Sequence, residues 1–187
     1  MSFAASICIV ILLSSVIILL IYGKTDRTSK DKRKITTAYG TQFFVLFSGF
    51  TTQIAATLSL CFGMGIALPV PLMIFGVAIL VAAIFFLVIS KSTLGNSYSP
   101  CINSYAPDSL VIDGVYQYIR HPIYTANILY HVGCMLASGS PWIAINVAIL
   151  FVVYGKNAEL EEAVLTDSFP EHKEYINSTG RFLPKVF

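Results

Sequence analysis

The run Gly114-Val115-Tyr116-Gln117-Tyr118-Ile119-Arg120-His121-Pro122-Ile123-Tyr124 gathers groups that can do chemistry. Pro122 suits the first turn of a helix, because its missing N–H is not needed there. The free N–H groups of such a turn, with the positive end of the helix, favour an anion such as a carboxylate. Arg120 adds a fixed positive charge, His121 a donor or acceptor, and Tyr116 and Tyr124 flat faces for stacking. The same residues also suit a plain membrane surface, where arginine snorkels to phosphates and tyrosines form an aromatic belt. Residue chemistry alone leaves both readings open.

A second group is Glu161-Glu162-Ala163-Val164-Leu165-Thr166-Asp167-Ser168-Phe169. Neighbouring side chains on a helix point about 100° apart, so at most one of the two glutamates is expected to face a buried site. The alternative is a solvated face, with Lys156 pairing Glu159 at i,i+3. His131 is a third candidate. A polar ring in an apolar span usually faces the bundle interior, either as a hydrogen-bonded core residue or as a pocket wall.

These groups need elements to hold them, and charge patterning shows which. The chain has 187 residues, 56% hydrophobic and 12% charged, with a mean hydropathy of +0.74. Soluble domains carry roughly 25% charged residues, so a water-soluble monomer is excluded. No Asp, Glu, Lys or Arg occurs in 1–23, 35–90 or 122–155. A membrane helix needs about 20 apolar residues, so the three stretches hold one, two and two spans. The expected spans are Phe3–Tyr22, Tyr39–Phe62, one opened by Pro69 and Pro71 and running to Ser90, Pro122–Ala137 and Pro141–Gly155. The fold class is therefore all-α, a polytopic integral membrane protein of about five transmembrane helices. Its C-terminal hairpin turns at Ser138-Gly139-Ser140-Pro141, and a cytoplasmic helix continues past Gly155 to Phe169-Pro170.

The first span lacks a basic leader and is followed by Lys24, Arg27, Lys30, Lys32, Arg33 and Lys34. That is a stop-transfer flank, not a cleaved signal. The positive-inside rule then puts the N-terminus outside and the C-terminus in the cytoplasm, and all twelve Lys and Arg residues fall on one face. The basic flank suits anionic lipid headgroups rather than nucleic acid. Residues 1–90 read as a three-helix scaffold, with Gly49, Gly63, Gly65 and Gly76 permitting close packing and Gln42 and Gln53 as interhelical hydrogen bonders. Residues 91–187 read as the functional half. Cys8, Cys61, Cys101 and Cys134 have no metal-ligand spacing and read as apolar filler.

Four motifs in series carry a resemblance: Leu94-Gly95-Asn96-Ser97-Tyr98-Ser99, then Leu110 to Tyr124 with Arg120-His121-Pro122, then Glu161-Glu162 with Leu165 and Phe169, then Gly180-Arg181-Phe182-Leu183-Pro184. Together they resemble the isoprenylcysteine carboxyl methyltransferase and phospholipid methyltransferase superfamily, over about half the chain. The tail resembles prokaryotic members of the carboxyl methyltransferase branch. The resemblance implies S-adenosyl-L-methionine as methyl donor, held by Asp108, Ser109, Leu110, Val111, Tyr116, His121, Pro122, Ile123, Tyr124 and Glu161. It implies Arg120, Glu161 and Glu162 as catalytic residues and position 157 as substrate-binding. Asn157 stands there where the family usually has arginine, Asp108 stands where it often has histidine, and Pro170 replaces a glycine.

The resemblance further implies a lipidic or prenylated substrate entering sideways from the bilayer, and no metal. Methyl transfer asks mainly for alignment and water exclusion. A carboxylate acceptor needs no base, whereas an amine must lose a proton, which Glu161, Glu162 or His121 can take. Motif similarity favours carboxyl O-methylation of an isoprenylcysteine-like substrate. The alternatives are phospholipid N-methylation, an NADPH-dependent reductase of the sterol reductase type, and a membrane protein without catalysis. A prokaryotic plasma membrane is the expected location.

Overall fold

A computed structural model describes residues 3–28, 38–95 and 109–185, with side chains described for 3–22, 44–95 and 109–185. The helices are α1 (Phe3–Thr28), α2 (Ala38–Phe62), α3 (Val70–Leu94), α4 (Pro122–Ser138), α5 (Pro141–Ser168) and α6 (His172–Ser178), with a 3-10 turn at Gly114–Gln117. Among the described residues the only strand-like pairing is an isolated parallel bridge between Ile119 and Gly180. The chain is an all-α integral membrane protein. Four helices are long and apolar enough to cross a bilayer: Phe3–Tyr22, Phe44–Phe62, Val70–Leu94 and Pro141–Ser168.

The fifth expected span, α4, has 17 residues and reaches about 26 Å, short of a ~30 Å hydrocarbon core. It is enclosed instead. α4 packs against α1, α2, α3 and α5 and buries Ala126, Tyr130, His131, Gly133, Cys134 and Ala137. Large apolar side chains such as Leu20, Phe75, Phe85 and Phe151 point outward, the surface a bilayer solvates. Polar contacts tie the centre together: Ser14 and Ser15 reach the Tyr130 hydroxyl at 3.1 and 2.9 Å, and Asn127 donates to the Tyr22 hydroxyl at 2.8 Å.

The α3–α4 contact is the most extensive in the bundle and depends on glycine. A Cβ on Gly76 would overlap the Ala137 backbone nitrogen, and one on Gly133 would lie 2.6 Å from the Leu80 nitrogen. Gly65 is likewise hemmed in, by Ser59 at 2.8 Å and the Gly139 carbonyl at 3.0 Å, whereas nothing lies within 4 Å of Gly49. Of the expected packing glycines, then, Gly49 and Gly63 have no such role, Gly63 serving instead at a positive φ of 67°, and Gly133 joins the set. Overpacking costs about 1–3 kcal/mol, so Gly133→Ala should lower the thermal midpoint of the detergent-solubilised protein. Gly49→Ala should leave it unchanged or raise it. Equal effects would contradict the packing.

Gln53 also departs from expectation. Its amide nitrogen reaches Thr57 on its own helix at 3.5 Å. The polar contact of this part of α2 with α5 is made by Asn146, which donates to Thr51 and Thr52 at 2.9 and 3.1 Å. The side chain of Gln42 lies outside the described residues. His131 is a buried core residue whose Nδ1 bonds the Asn127 carbonyl at 2.8 Å.

The hairpin turn forms as its residues require. Gly139 adopts φ 64°, and Ser140 and Pro141 open α5. The Ile66 N–H donates to the Gly139 carbonyl at 2.8 Å, which docks the 63–69 turn on the same end of the bundle. α5 then runs unbroken to Ser168, and Phe169 ends it in extended backbone (φ −132°, ψ 102°) ahead of Pro170.

Candidate functional site

At the other end of the bundle, the segment entering α4, the C-terminal part of α5 and the tail come together. The tail runs alongside residues 118–121. Arg120 N–H donates to the Gly180 carbonyl at 2.9 Å, and His121 N–H to the Arg181 carbonyl at 3.1 Å. Thr125 Oγ1 donates to the Phe182 carbonyl at 2.8 Å. Tyr175 anchors the preceding helix, donating its hydroxyl to the Tyr116 carbonyl at 2.5 Å. His121 sits before Pro122 with φ −123° and ψ 61°, outside the helical region, as a residue preceding proline prefers.

This arrangement puts the imidazole of His121 between two carboxylates. Nδ1 is 3.3 Å from Glu161 Oε2 and Nε2 is 3.1 Å from Glu162 Oε1. The expectation that only one of the adjacent glutamates faces the site is therefore wrong. The 100° between them is spanned by a ring from another element that enters the gap. The two carboxylates differ in surroundings. The Glu162 side chain is 9% exposed and that of Glu161 29%, so Glu162 is structural in placement and Glu161 half-open.

Glu162 is held by two arginines. Arg120 Nε donates to Oε1 at 2.8 Å and Arg181 Nη2 to Oε2 at 2.8 Å. Arg120 Nη1 also donates to the carbonyls of Ile176, at 3.1 Å, and Thr179. Glu159 pairs with Arg181 at 3.3 Å, rather than with Lys156 as the i,i+3 reading proposed. Charge-assisted bonds in a partly desolvated site are the strong class, and a buried carboxylate held by both guanidiniums avoids the cost of an unpaired charge.

Tyr124 faces the open glutamate. Its hydroxyl donates to Glu161 Oε1, and its ring stacks between His121, 5.5 Å away at 5°, and Tyr154, 4.5 Å away at 8°. The Tyr154 hydroxyl is buried with no hydrogen-bond partner among the described residues. Phe182 closes one side against His121, at 6.2 Å. Tyr116 is buried. Burial raises its phenol pKa far above the ordinary value, reinforced by Tyr175, Glu161 and Tyr22.

Burial lowers the affinity of His121 for a proton, but its bonds to Glu161 and Glu162 prevail and raise its pKa above the ordinary range. A raised folded-state histidine stabilises fully below the unfolded value of about 6.5 and loses that contribution as pH rises through the folded value. The thermal midpoint should therefore fall as pH rises above the ordinary histidine value of about 6.5, and His121→Gln should flatten that dependence. An identical profile in the variant would remove His121 as its source.

The structure thus unites Arg120, His121, Tyr124, Glu161 and Glu162, with buried Tyr116 beside them. Pro122 is buried and Ile123 half-buried on the first turn of α4. Asn157 is half-buried one turn before Glu161, on the same face of α5. Ser109 is exposed, and Leu110 and Val111 are half-buried on the approach to the 3-10 turn. No described hydrogen bond or ion pair joins these three to the cluster. Asp108 lies outside the described residues. Sequence reasoning gave no role to Arg181, Thr179, Tyr154 or Tyr175. Arg181 lies in the Gly180–Pro184 motif and was the one open to notice.

A family model for phospholipid methyltransferases matches residues 64–172. The matched segment carries Arg120, His121, Glu161 and Glu162 and ends before Arg181. Among curated proteins, the cobalt-zinc-cadmium resistance protein CzcN of Cupriavidus metallidurans is 29% identical over 100 residues, covering 52% of this chain and 46% of that protein. The nickel-cobalt-cadmium resistance protein NccN of Alcaligenes xylosoxydans xylosoxydans is 32% identical over 78 residues, covering 41% and 37%. The chain spans less than half the length of these relatives.

Proposed function

The chain belongs to the phospholipid methyltransferase family, and from that premise we propose that it moves a methyl group from S-adenosylmethionine to a lipidic acceptor where α4, α5 and the tail meet. The carrying observation is the convergence of three separated motifs on His121, with Glu161 left half-open beside it. The residues fit the donor. Glu161 offers a carboxylate for an ammonium or ribose hydroxyls, and the Tyr124 ring, stacked between His121 and Tyr154, forms a rigid aromatic wall beside it. The buried Tyr154 hydroxyl without a partner marks a polar position behind Tyr124.

In this reading His121, Pro122, Ile123, Tyr124 and Glu161 hold the donor, with Tyr116 behind them and Ser109, Leu110 and Val111 on the approach. S-adenosylmethionine, when bound, supplies a methyl group activated by its sulfonium. The protein's task is alignment. Arg120 and Arg181 fix Glu162, Glu162 and Glu161 fix the imidazole of His121, and Tyr124 fixes Glu161. Phe182 and the stacked rings shield the position from water.

The acceptor follows from charge. Arg120 and Arg181 are both bonded to Glu162, and Asn157 carries no charge. A carboxylate acceptor would meet the half-open Glu161 with no free guanidinium supplied at position 157. An amine headgroup would be attracted by Glu161 and could pass its proton to it. We therefore assign an amine-bearing lipid of the phosphatidylethanolamine type as the first acceptor. Carboxyl O-methylation of an isoprenylcysteine-like substrate is the second reading, supported by the Gly180–Pro184 tail. Both acceptors enter from the bilayer, with the site on the cytoplasmic face of a prokaryotic plasma membrane.

Labelled donor, supplied with phosphatidylethanolamine vesicles or a prenylcysteine analogue, separates them. The first reading expects a base-stable label on the phospholipid. A base-labile label on the analogue alone would select the second. An unconsumed donor with both would contradict the transfer itself.

A further inference from the structure

Cys8 of α1 and Cys61 of α2 hold their sulfurs 3.7 Å apart, and we propose that they form a reversible disulfide that staples the two helices at the end of the bundle opposite the candidate site. Both are free thiols here. Cys8 lies in the second turn of α1, which begins at Phe3, and Cys61 in the last turn of α2, which ends at Phe62. The same end carries the 63–69 turn docked on Gly139. The pair comes from positions 53 apart in sequence, so only the packing of α1 on α2 brings it together. Cys134, by contrast, is fully buried within α4 and has no such neighbour among the described cysteines.

The chemistry is thiol–disulfide exchange. Cys61 is exposed and Cys8 half-buried, so Cys61 is the entering thiol. Its thiolate attacks one sulfur of an oxidant disulfide, forming a mixed disulfide and releasing the other oxidant sulfur as a thiolate. The Cys8 thiolate then displaces the second oxidant sulfur and closes the Cys8–Cys61 bond. Two electrons pass to the oxidant, which becomes a dithiol, and the protons of Cys8 and Cys61 go to solvent or to its sulfurs. The oxidant is a disulfide-bearing oxidoreductase or a small disulfide. With the basic flank of α1 inside, this end faces the outer compartment, where disulfides persist.

The test uses full-length protein in detergent on a Cys101→Ser, Cys134→Ala background, titrated with oxidised glutathione. Both remaining thiols should lose maleimide reactivity together, and the chain should lose the mass of two hydrogens. A Cys8–Cys61 linked peptide should appear, and dithiothreitol should reverse all three changes. The oxidised form should melt roughly 5–10 °C higher, and Cys8→Ser should abolish that gain. Full maleimide labelling at excess oxidant would overturn the proposal. So would Cys61 recovered in a disulfide between two chains rather than with Cys8.

Discussion

Glu162→Ala is expected to destabilise the protein by about 3–5 kcal/mol, the cost of removing one partner from a buried ion-pair network, and to abolish the proposed methyl transfer. The carboxylate accepts from Arg120 and Arg181 at 2.8 Å each and meets His121 at 3.1 Å. Without it, two guanidiniums and an imidazole face one another, with only Glu161 and the more exposed Glu159 to balance them. Arg120 is the sensitive member, because its side chain is 9% exposed and cannot turn to water without leaving the Ile176 and Thr179 carbonyls. The tail should therefore detach first. Hydrogen exchange should show residues 172–182 losing protection before α3 and α4. Glu162→Gln, which keeps the shape and one acceptor oxygen, should lose less stability than Glu162→Ala. An alanine variant as stable as the parent would show that the network does not hold the site.

Gly180→Ala should be nearly as damaging, for a steric reason. A Cβ at this position would overlap the Leu183 carbonyl oxygen, and the Lys185 nitrogen lies 3.0 Å away. Both obstacles are backbone, so no rotamer change relieves them. Relief requires the turn at 180–183 to open, which breaks the bond from Arg120 N–H to the Gly180 carbonyl and displaces Arg181 from Glu162. Overpacking against atoms that cannot yield belongs at or above the upper end of the usual range, about 3 kcal/mol. Activity should fall far more than the thermal midpoint, because α1 packs on α2 and α3, and all three pack on α4, away from the tail. Equal activity in the variant would remove the tail from the site.

The uncharged stretches made the spans legible, because a bilayer tolerates no unpaired charge in its core and the sequence must record that. They could not show that most of α4 faces neighbouring helices, with Leu129 among the few side chains turned outward. Hydropathy does not distinguish the two environments. The ends of α5 were readable from Pro141 and from Phe169-Pro170, which act locally. The close α3–α4 contact was only half readable: Gly76 stood out in a scaffold helix, while Gly133 sits in a helix read for its polar groups.

At the site, Arg120, His121 and Glu162 were visible as residue types, but their joint geometry was not. Helical periodicity separates Glu161 from Glu162. Only the arrival of His121, some forty positions earlier in the chain, makes them one unit. The same holds for Arg181 and Tyr175, whose partners are set by the tail lying along residues 118–121, a pairing without a local signal.

In the proposed reading Glu161, His121 and Tyr124 form the heart of a methyl-donor site. Titration calorimetry of the purified protein with S-adenosylhomocysteine, and separately with NADPH, tests it most directly. S-adenosylhomocysteine should bind saturably, a folded Glu161→Ala variant should not bind it, and NADPH should not bind at all. Unchanged affinity in that variant would remove Glu161 from the site. Saturable binding of NADPH, with none of S-adenosylhomocysteine, would contradict the methyltransferase assignment itself.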